Sequence, residues 1–337
     1  MKALVLGGSV FVGRRLVAML AARGDDVTVL NRGRTPAALP AGVAHLVADR
    51  TDPESMAAAL AGTQWDVVFD VSGFVMAAGG SDIAGLLDLL DGRVGSYVFV
   101  SSVMAYDQSL AGVFPWHEGL PTNPEGPSTY GGFKALAEAQ MLERHAATGF
   151  PVTIVRPAAI YGPENNIYDM ETPMFLRLLR GRPILVPHEG LVATSYGHVD
   201  DLCAAMLELA GLPAARGRVF NISGDAVTSL RYVTDLAAIV GRPADVVLVP
   251  PADLALAGKV FGHLFSARHH AVLDISAVAA LGVAPSEGFV DGHRSTFEWF
   301  LAQGWDRLTE PLVDPTWRAT WDFDAEDALV ASLRGRT

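Results

Sequence analysis

The chain has 337 residues, of which 50% are hydrophobic, and it carries a formal net charge of −12 at pH 7. This composition predicts a globular α/β protein with a large core, and the acidic balance argues against a nucleic-acid partner, whose phosphates need a basic face. We expect a cytoplasmic protein, because there is one cysteine, no signal peptide and no clean apolar run of the roughly 18 residues that a membrane span needs.

The first predicted element is a strand that leads through a glycine-rich turn into a helix. Ala3–Leu6 is an apolar run, and Arg14–Arg23 is amphipathic. This order is typical of a dinucleotide-binding βαβ unit, where Gly7 permits the turn, Gly13 lets the helix approach the strand, and the pyrophosphate lies on helix N–H groups. A plain βα turn is the alternative. The cofactor-binding residues predicted in this turn are Gly7, Ser9, Val10, Phe11, Val12 and Gly13.

The second predicted strand, Asp26–Leu30, bears on the choice of cofactor. It ends at Asn31, and Arg32 and Arg34 follow. NAD usually meets an acidic residue at this point, whereas an arginine accommodates the 2′-phosphate of NADP. The sequence therefore favours NADP over NAD. Two alternatives stay open, since the arginines could be solvated loop side chains and Asn31 could bond a free 2′-hydroxyl.

The third and fourth predicted strands are Ala44–Ala48 and Trp65–Asp70. Asp49 follows the third strand directly and is placed to accept a hydrogen bond from an adenine amino group. Strands that alternate with helices in this way predict a parallel sheet that is covered on both faces.

Tyr130 and Lys134 lie four residues apart in a predicted helix. The chain has only two other lysines, Lys2 and Lys259. Residues i and i+4 share a helix face, so the ammonium is expected to lower the pKa of the phenol from about 10. A tyrosine tuned in this way exchanges a proton with a substrate hydroxyl or carbonyl near neutral pH. The spacing by itself is a weak signal, because such pairs are common on solvated helix faces.

These motifs together resemble the extended short-chain dehydrogenases/reductases, the group that contains NAD-dependent sugar epimerases and dehydratases. The resemblance covers nearly the whole chain. Further segments in the order of that family are Tyr97–Tyr106, Val155–Pro163, His198–Leu202 and Phe220–Gly224.

The resemblance implies an α/β fold, a Rossmann-type doubly wound parallel sheet with a smaller C-terminal substrate domain. The NAD(P)-binding domain would comprise residues 1–162, and segments near 196–224 would return to it. Residues 163–337 would form mainly the substrate-binding domain and a C-terminal tail.

The resemblance also implies roles for individual residues. Tyr130 would move the proton, Ser102 would orient the reacting oxygen, and Lys134 would hold the ribose and tune Tyr130. Ser101 is adjacent to Ser102, but strand alternation should let only one of the two serines reach the site. The substrate residues implied are Ser102, Tyr168 and Arg268. The further cofactor contacts implied are Arg50, Val71, Ser72, Gly73, Tyr130, Lys134, Pro157 and Ile160.

Several positions depart from the pattern of the family. Val10 replaces the middle glycine of the turn, as in some atypical members. Val103 and Met104 stand where sugar dehydratases carry an Asp-Glu pair, so dehydratase chemistry is not expected. Thr194 stands where nucleotide-sugar relatives place an arginine that binds the diphosphate, although Arg268 could supply a cation.

The first functional hypothesis is an NAD(P)-dependent oxidoreductase or epimerase that acts on a hydroxyl or ketone carbon of a small molecule. A nucleotide-sugar epimerase is one alternative, and a non-enzymatic NADP-sensing or RNA-associated member of the fold is another. A scaffold with a vestigial cofactor site is a third, which the intact Ser/Tyr/Lys set disfavours. A homodimer is compatible with the sequence, and the histidine spacing predicts no metal site.

Overall fold

A parallel β-sheet of seven strands forms the centre of the protein in the computed structural model, which describes residues 1–34, 38–71, 83–165, 170–254, 264–265, 267–308 and 323–335. The strands are β1 (Lys2–Leu6), β2 (Asp26–Asn31), β3 (Ala44–Val47), β4 (Trp65–Asp70), β5 (Val94–Val100), β6 (Val152–Pro157), β7 (Ala159–Tyr161), β8 (Pro183–Pro187), β9 (Ala193–His198), β10 (Arg218–Ile222), β11 (Ala226–Thr228) and β12 (Asp245–Val249). The helices are α1 (Phe11–Ala22), α2 (Pro53–Leu60), α3 (Ile83–Leu90), α4 (Tyr130–Thr148), α5 (Glu171–Leu179), α6 (Val199–Ala210), α7 (Ser229–Val240), α8 (Ser276–Ala279), α9 (Phe289–Ala302) and α10 (Phe323–Arg334).

The strand order in the large sheet is β10-β6-β5-β4-β1-β2-β3, and each neighbouring pair is parallel. The order reverses between β1 and β4, where the chain passes to the other half of the sheet. Ligands of open parallel sheets bind at such a switch point, outside the carboxyl ends of the strands. The prediction of a Rossmann-type doubly wound sheet is confirmed.

Helices cover both faces of this sheet because its inner strands are apolar along most of their length. Ala3–Leu6 of β1 and Val152–Pro157 of β6 are buried throughout, as is usual for parallel strands between two helical layers. Helices α1 and α6 pack on one face, and α2, α3 and α4 pack on the other. Within the described ranges, no helix combines the length and the apolar character needed to cross a bilayer.

A second region is built around aromatic side chains. It contains a three-stranded sheet, β11-β9-β7, and a parallel pair, β12-β8. Helices α5, α7 and α9 pack around a core that includes Phe175, Tyr232 and Phe300. Within the segment 196–224, β10 returns to the large sheet beside β6, whereas the end of β9 pairs with β7 in the small one. The division at residue 162 stays a prediction.

The last helix, α10, closes the outer side of the second region. Leu329 and Leu333 contact the apolar side chains of β8 and β12. Glu326 forms a buried ion pair with Arg177 of α5. Helix α10 is therefore held by both apolar packing and charge. The tail residues Trp317 and Trp321 lie outside the described residues.

Helix α1 begins very close to the end of β1. Gly7 has φ of 99°, a conformation that favours glycine. A Cβ atom on Gly13 would overlap the carbonyl oxygen of Gly7 and would lie 3.0 Å from the Val71 side chain. Gly13 therefore allows the helix to touch the strand end, which is the packing that the turn motif predicts.

We expect Gly13→Ala to lower the free energy of unfolding by about 1–3 kcal/mol, because the added methyl group meets backbone atoms that cannot move aside easily. Gly211→Ala is the matched control, since Gly211 has φ of −84° and an added Cβ would lie 3.5 Å from its nearest neighbour. Chemical denaturation of both variants measures the difference. A Gly13→Ala protein as stable as the control would contradict the packing argument.

Candidate active site

The glycine-rich turn presents the N-terminus of α1 at the carboxyl edge of the sheet. Val10 precedes the helix with φ of −137° and ψ of 152° and cannot cap it with its side chain. The first N–H groups of a helix attract anions, so this end fits a cofactor pyrophosphate. Extended backbone suits a β-branched residue, and Val10 is 42% exposed, so the valine does not disturb the turn. Phe11 has φ of 37°, unusual for a bulky residue, and Val12 and Gly13 continue the first helical turn.

Asn31, at the end of β2, holds the glycine-rich turn in place. Its Nδ2 donates to Oγ of Ser9 at 2.7 Å, and its Oδ1 accepts from the Gly33 N–H at 2.7 Å. Oδ1 also lies 3.0 Å from Nε2 of His45 on β3. Both ends of the Asn31 amide are therefore bonded to protein partners, a role that the sequence did not indicate.

Arg32 and Arg34 are exposed after β2 and lie near Asp49. Nη2 of Arg34 is 3.7 Å from Oδ2 of Asp49. Thr51 donates its N–H and its hydroxyl to Asp49 at 3.0 and 2.8 Å. These hydrogen bonds, with the arginine charges, hold the pKa of Asp49 below its usual range. Three of the predicted cofactor residues thus lie together at the carboxyl ends of β2 and β3.

Arg50 forms a buried ion pair with Asp70. Its Nη1 and Nη2 donate to the two carboxylate oxygens at 2.5 and 2.7 Å. Oη of Tyr97 donates to the same carboxylate at 2.7 Å. Burial by itself would raise the pKa of Asp70, but Arg50 and the Tyr97 hydroxyl hold it below its usual range. The cofactor contact predicted for Arg50 stays a prediction, to which the structure adds this buried partner.

The end of β4 borders the N-terminus of α1. The Val71 N–H donates to the Leu6 carbonyl at 3.0 Å, and the Val71 side chain lies against Gly13. This predicted cofactor residue therefore lies beside the glycine-rich turn. The predicted site residues outside the described part of the chain are Ser72, Gly73 and Tyr168.

Tyr130 begins α4 and lies beside Ser102, which follows β5. Thr129 caps the helix by accepting a hydrogen bond from the Gly132 N–H at 3.2 Å. The Ser102 side chain lies close to the Tyr130 side chain. Burial raises the pKa of Tyr130 above its usual value, and the neighbouring Ser102 hydroxyl opposes the rise only in part. The prediction that Lys134 lowers this pKa is wrong, because the loss of hydration at the phenol outweighs the effect of its neighbours.

Lys134 is buried one helical turn from Tyr130, with an exposed fraction of 1%. Its Nζ donates to the Val100 carbonyl at 2.6 Å, 4.6 Å from the ring centroid of Phe99 and 5.7 Å from that of Tyr130. Burial lowers the pKa of Lys134 to about 8, against the attraction of Asp70. The two residues do share a helix face, as their spacing predicts.

The adjacent serines after β5 have different partners. Ser101 donates its hydroxyl to Glu138 of α4, and Glu138 accepts from Nε of Arg156 on β6 at 2.9 Å. Ser102 faces Tyr130. The structure therefore brings Ser102 to the site and holds Ser101 in a buried network.

The remaining predicted residues lie after β6 and in the C-terminal region. Pro157 ends β6 and Ile160 is central in β7, and both are buried. Arg268 is exposed, three residues before Ala271, which pairs with Thr194 in β9. The C-terminal segment thus brings Arg268 into the neighbourhood of the threonine.

Two apolar side chains are exposed in this part of the chain, and Met104 is the one that lies close to Ser102 and α4. Met104 is 41% exposed and lies two residues after Ser102, in a turn so close to α4 that a Cβ on Gly131 would overlap the Met104 carbonyl. Phe114 is 60% exposed, and its ring centroid is 5.8 Å from that of His270. Met104 therefore offers an apolar contact at a position where sugar dehydratases are expected to carry an acid.

Sequence reasoning missed the buried charges beneath the site, among them Asp70, Glu138 and Arg156. One signal was available, because Arg156 lies within the otherwise apolar run Val152–Pro157, and a charge in such a run must find a partner. The partner could not be named, since Glu138 belongs to a different element and its spacing along α4 resembles that of a surface residue.

The doubly wound sheet, the open helix end after a glycine-rich turn, and the group formed by Ser102, Tyr130 and Lys134 define a dinucleotide-binding protein of the short-chain dehydrogenase/reductase class. The family model for the NAD dependent epimerase/dehydratase family matches residues 3–223. The chain belongs to this NAD-binding family.

Relatives in the family include reductases and epimerases. The chain is 28% identical over 345 residues to the chloroplast stem-loop binding protein of 41 kDa b of Arabidopsis thaliana, covering 98% of this chain and 84% of that protein. It is 27% identical over 299 residues to the 4-hydroxy-2-methyl-3-oxo-4-farnesyl-3,4-dihydroquinoline-1-oxide ketoreductase of Stigmatella aurantiaca, covering 84% and 85%. The UDP-glucose 4-epimerase of Thermotoga maritima, solved with UDP-glucose, aligns with a TM-score of 0.75 at 23% identity over 90% of this chain and 99% of that one.

We expect Ser101→Ala to destabilise the protein by about 1.5–3 kcal/mol, because it removes a buried hydrogen bond to a charged carboxylate. Ser102→Ala is the matched comparison. It loses the cap of a short turn, a hydrogen bond from the Met104 N–H at 3.1 Å, and should cost about 1 kcal/mol or less. Urea denaturation ranks the two variants. A larger loss for Ser102→Ala would show that the two serines have been assigned the wrong way round.

Proposed function

We propose that this protein is an NAD(P)-dependent oxidoreductase that interconverts a ketone and a secondary alcohol on a small molecule. The observation that carries the proposal is the proximity of Ser102 to Tyr130, with Lys134 buried one helical turn away. A bound nicotinamide cofactor supplies or accepts the hydride. The N-terminus of α1 and the carboxyl ends of the strands next to it offer the place for that cofactor.

Each of the three side chains has a distinct part in this chemistry. The raised pKa of Tyr130 keeps the phenol protonated at neutral pH, as an acid for carbonyl reduction must be. Ser102 donates a hydrogen bond to the same substrate oxygen and stabilises the charge that develops there. Lys134 holds the cofactor ribose through an ammonium that is mostly charged at neutral pH, since its pKa is lowered only to about 8.

The surroundings of the site favour a substrate with little charge. Met104, two residues after Ser102, is an exposed apolar side chain, and Thr194 cannot bind a phosphate as an arginine does. The ketoreductase of Stigmatella aurantiaca is named for a farnesylated ketone, which supports the same class of compound. We therefore propose a ketone or alcohol without a diphosphate as the substrate.

A nucleotide-sugar epimerase is the second candidate function. The similarity in fold to a UDP-glucose 4-epimerase favours it, and an epimerase would use the same three residues while keeping its cofactor bound. Recognition of the diphosphate then requires a cation, and we propose Arg268 for it, since Arg268 lies three residues before Ala271, which pairs with Thr194. Binding of UDP separates the two candidates.

A nucleic-acid role is a third candidate, favoured by the match over 98% of the chain to a stem-loop binding protein. The net charge of −12 opposes it, because a protein that binds nucleic acid neutralises phosphates with a basic face. We propose a small molecule as the partner. A homodimer and a cytoplasmic location stay predictions.

The cofactor proposed here is NADP rather than NAD. Exposed Arg32 and Arg34 lie at the end of β2, where the adenosine ribose of a dinucleotide is bound in this fold. The amide of Asn31 is already bonded to Ser9 and Gly33, which leaves it poorly placed to replace the missing acid. A 2′-phosphate would meet the arginines directly.

We expect Tyr130→Phe to reduce turnover by about 10²–10⁴-fold while cofactor affinity stays close to that of the wild type, because only the transferable proton is lost. The assay follows oxidation of NADPH with a panel of uncharged ketones. Tyr106→Phe is the control. The Tyr106 hydroxyl donates to Asn221 at 2.8 Å, and the proposed mechanism gives it no part in the proton transfer.

Tyr130→Phe turnover within a few-fold of the wild-type rate would remove Tyr130 from the mechanism. Micromolar binding of UDP in calorimetry that disappears in Arg268→Ala would establish the nucleotide-sugar candidate in place of the uncharged ketone.

We expect the protein to bind NADPH more tightly than NADH, and Arg32→Ala to weaken NADPH by roughly ten- to a hundred-fold with little effect on NADH, because a charged hydrogen bond to phosphate is lost. Fluorescence titration of both cofactors measures the two affinities. Arg93→Ala serves as a control for the removal of a surface charge elsewhere. Equal affinities in the wild type would exclude the NADP assignment.

A further inference from the structure

A second set of charged groups is buried next to the predicted cofactor site. Asp70 ends β4, accepts two hydrogen bonds from Arg50 and one from Tyr97, and is 1% exposed. The set joins the loop after β3 to the adjacent strands β4 and β5. It lies at the carboxyl edge of the large sheet. The next residue, Val71, donates its N–H to the end of β1, directly before the glycine-rich turn.

Lys134 lies against the same part of the sheet. Its Nζ is 4.6 Å from the ring centroid of Phe99, and Phe99 is the register partner of Asp70 across β4 and β5. Tyr97 is two residues before Phe99 on β5, so the two side chains point to the same face. The ammonium of α4 and the ion pair of Asp70 are therefore neighbours in a water-poor layer.

The charged and titratable groups that face Lys134 come from four directions. Tyr130 and Glu138 lie on its own helix, Asp70 on β4, and Arg50 on the loop after β3. Tyr97 on β5 completes the set.

The negative charge of Glu138 is balanced by its ion pair with Arg156. The Arg50–Asp70 pair is a second ion pair beside the lysine. Its two charges act on the ammonium with opposite sign, since Asp70 attracts it and Arg50 repels it.

We propose that the Arg50–Asp70 ion pair is a positioning unit that sets the charge of Lys134, and thereby the pH range in which the protein binds its cofactor. The proposal rests on the function proposed above for Lys134, which is to hold the cofactor ribose. It concerns two residues that act through the lysine, whereas loss of the cofactor contact predicted for Arg50 would change affinity by the same factor at every pH and would not move the pH at which affinity falls.

The sign of each effect follows from the charges. The pKa of Lys134 is lowered to about 8, so the ammonium is lost, and cofactor affinity should fall, as pH rises through that value. Loss of the Asp70 charge removes an attraction that favours the ammonium, so the cofactor affinity should fall at a lower pH than in the wild type. Loss of the Arg50 charge removes a repulsion, so the cofactor affinity should fall only at a higher pH than in the wild type.

The test measures the dissociation constant of NADPH by fluorescence from about pH 6 to about pH 9.5, in the full chain. The variants are Asp70→Asn and Arg50→Gln, which break the same ion pair and keep side chains that can hydrogen-bond. We expect Asp70→Asn to bind nearly as well as the wild type at about pH 6, about fivefold more weakly at about pH 8 and about tenfold more weakly at about pH 9.5, which corresponds to a shift of one pH unit. Arg50→Gln should hold its affinity to a higher pH than the wild type.

Either single variant leaves a buried charge unpaired and could fail to fold. The double variant Arg50→Gln/Asp70→Asn removes both charges and should return the pH profile toward that of the wild type. Tyr97→Phe keeps both charges and should leave the profile in place. A purely structural role of the ion pair would instead lower affinity by the same factor at every pH, in the same direction for both single variants, and would overturn the proposal.

Lys134→Ala separates this proposal from the proposed function. If Lys134→Ala binds NADPH as well as the wild type at every pH, the lysine does not hold the cofactor and the proposed function is wrong at this residue. If Lys134→Ala loses affinity but the Asp70→Asn and Arg50→Gln profiles shift together or not at all, the function stands and the inference about the ion pair fails.

Discussion

The buried ion pair between Glu138 and Arg156 is the interaction on which the arrangement of the site depends. It fastens α4 to β6, and Ser101 donates to the same carboxylate, which fixes the end of β5 as well. A buried pair of this kind costs several kcal/mol when one partner is removed, because the other charge is left without compensation. With both segments fixed, Ser102 and Tyr130 are brought to the same point at the carboxyl edge of the sheet.

The same network extends beyond the sheet to the C-terminal region. The guanidinium of Arg156 lies 4.4 Å from the ring centroid of Tyr106, whose hydroxyl donates to Asn221 on β10. The amide of Asn221 in turn donates to the carbonyls of Trp116 and Asp274 at 3.0 Å. Polar groups buried this completely restrict the arrangements open to the chain. The C-terminal segment that contains Arg268 is thus held in place through the Asp274 carbonyl.

The departures from the family pattern fall into two kinds. Val10 is tolerated because its backbone is extended and its side chain is exposed, so the turn keeps its shape without the middle glycine. Met104 and Thr194 change the chemistry of the surroundings, since each places an uncharged side chain where relatives carry a charge. These two positions are part of the basis for the uncharged substrate proposed above.

The sequence by itself determined the elements, because apolar strands, the glycine-rich turn and the spacing of Tyr130 and Lys134 are local patterns with local causes. It could not determine the pKa of Tyr130, because hydration of the phenol is lost only when α4 packs on the sheet. It also could not pair Arg50 with Asp70, or Glu138 with Arg156, since each pair joins elements that are distant in the chain. Only the tertiary structure decided these, because the partner of a buried charge and the dielectric around it depend on which elements become neighbours.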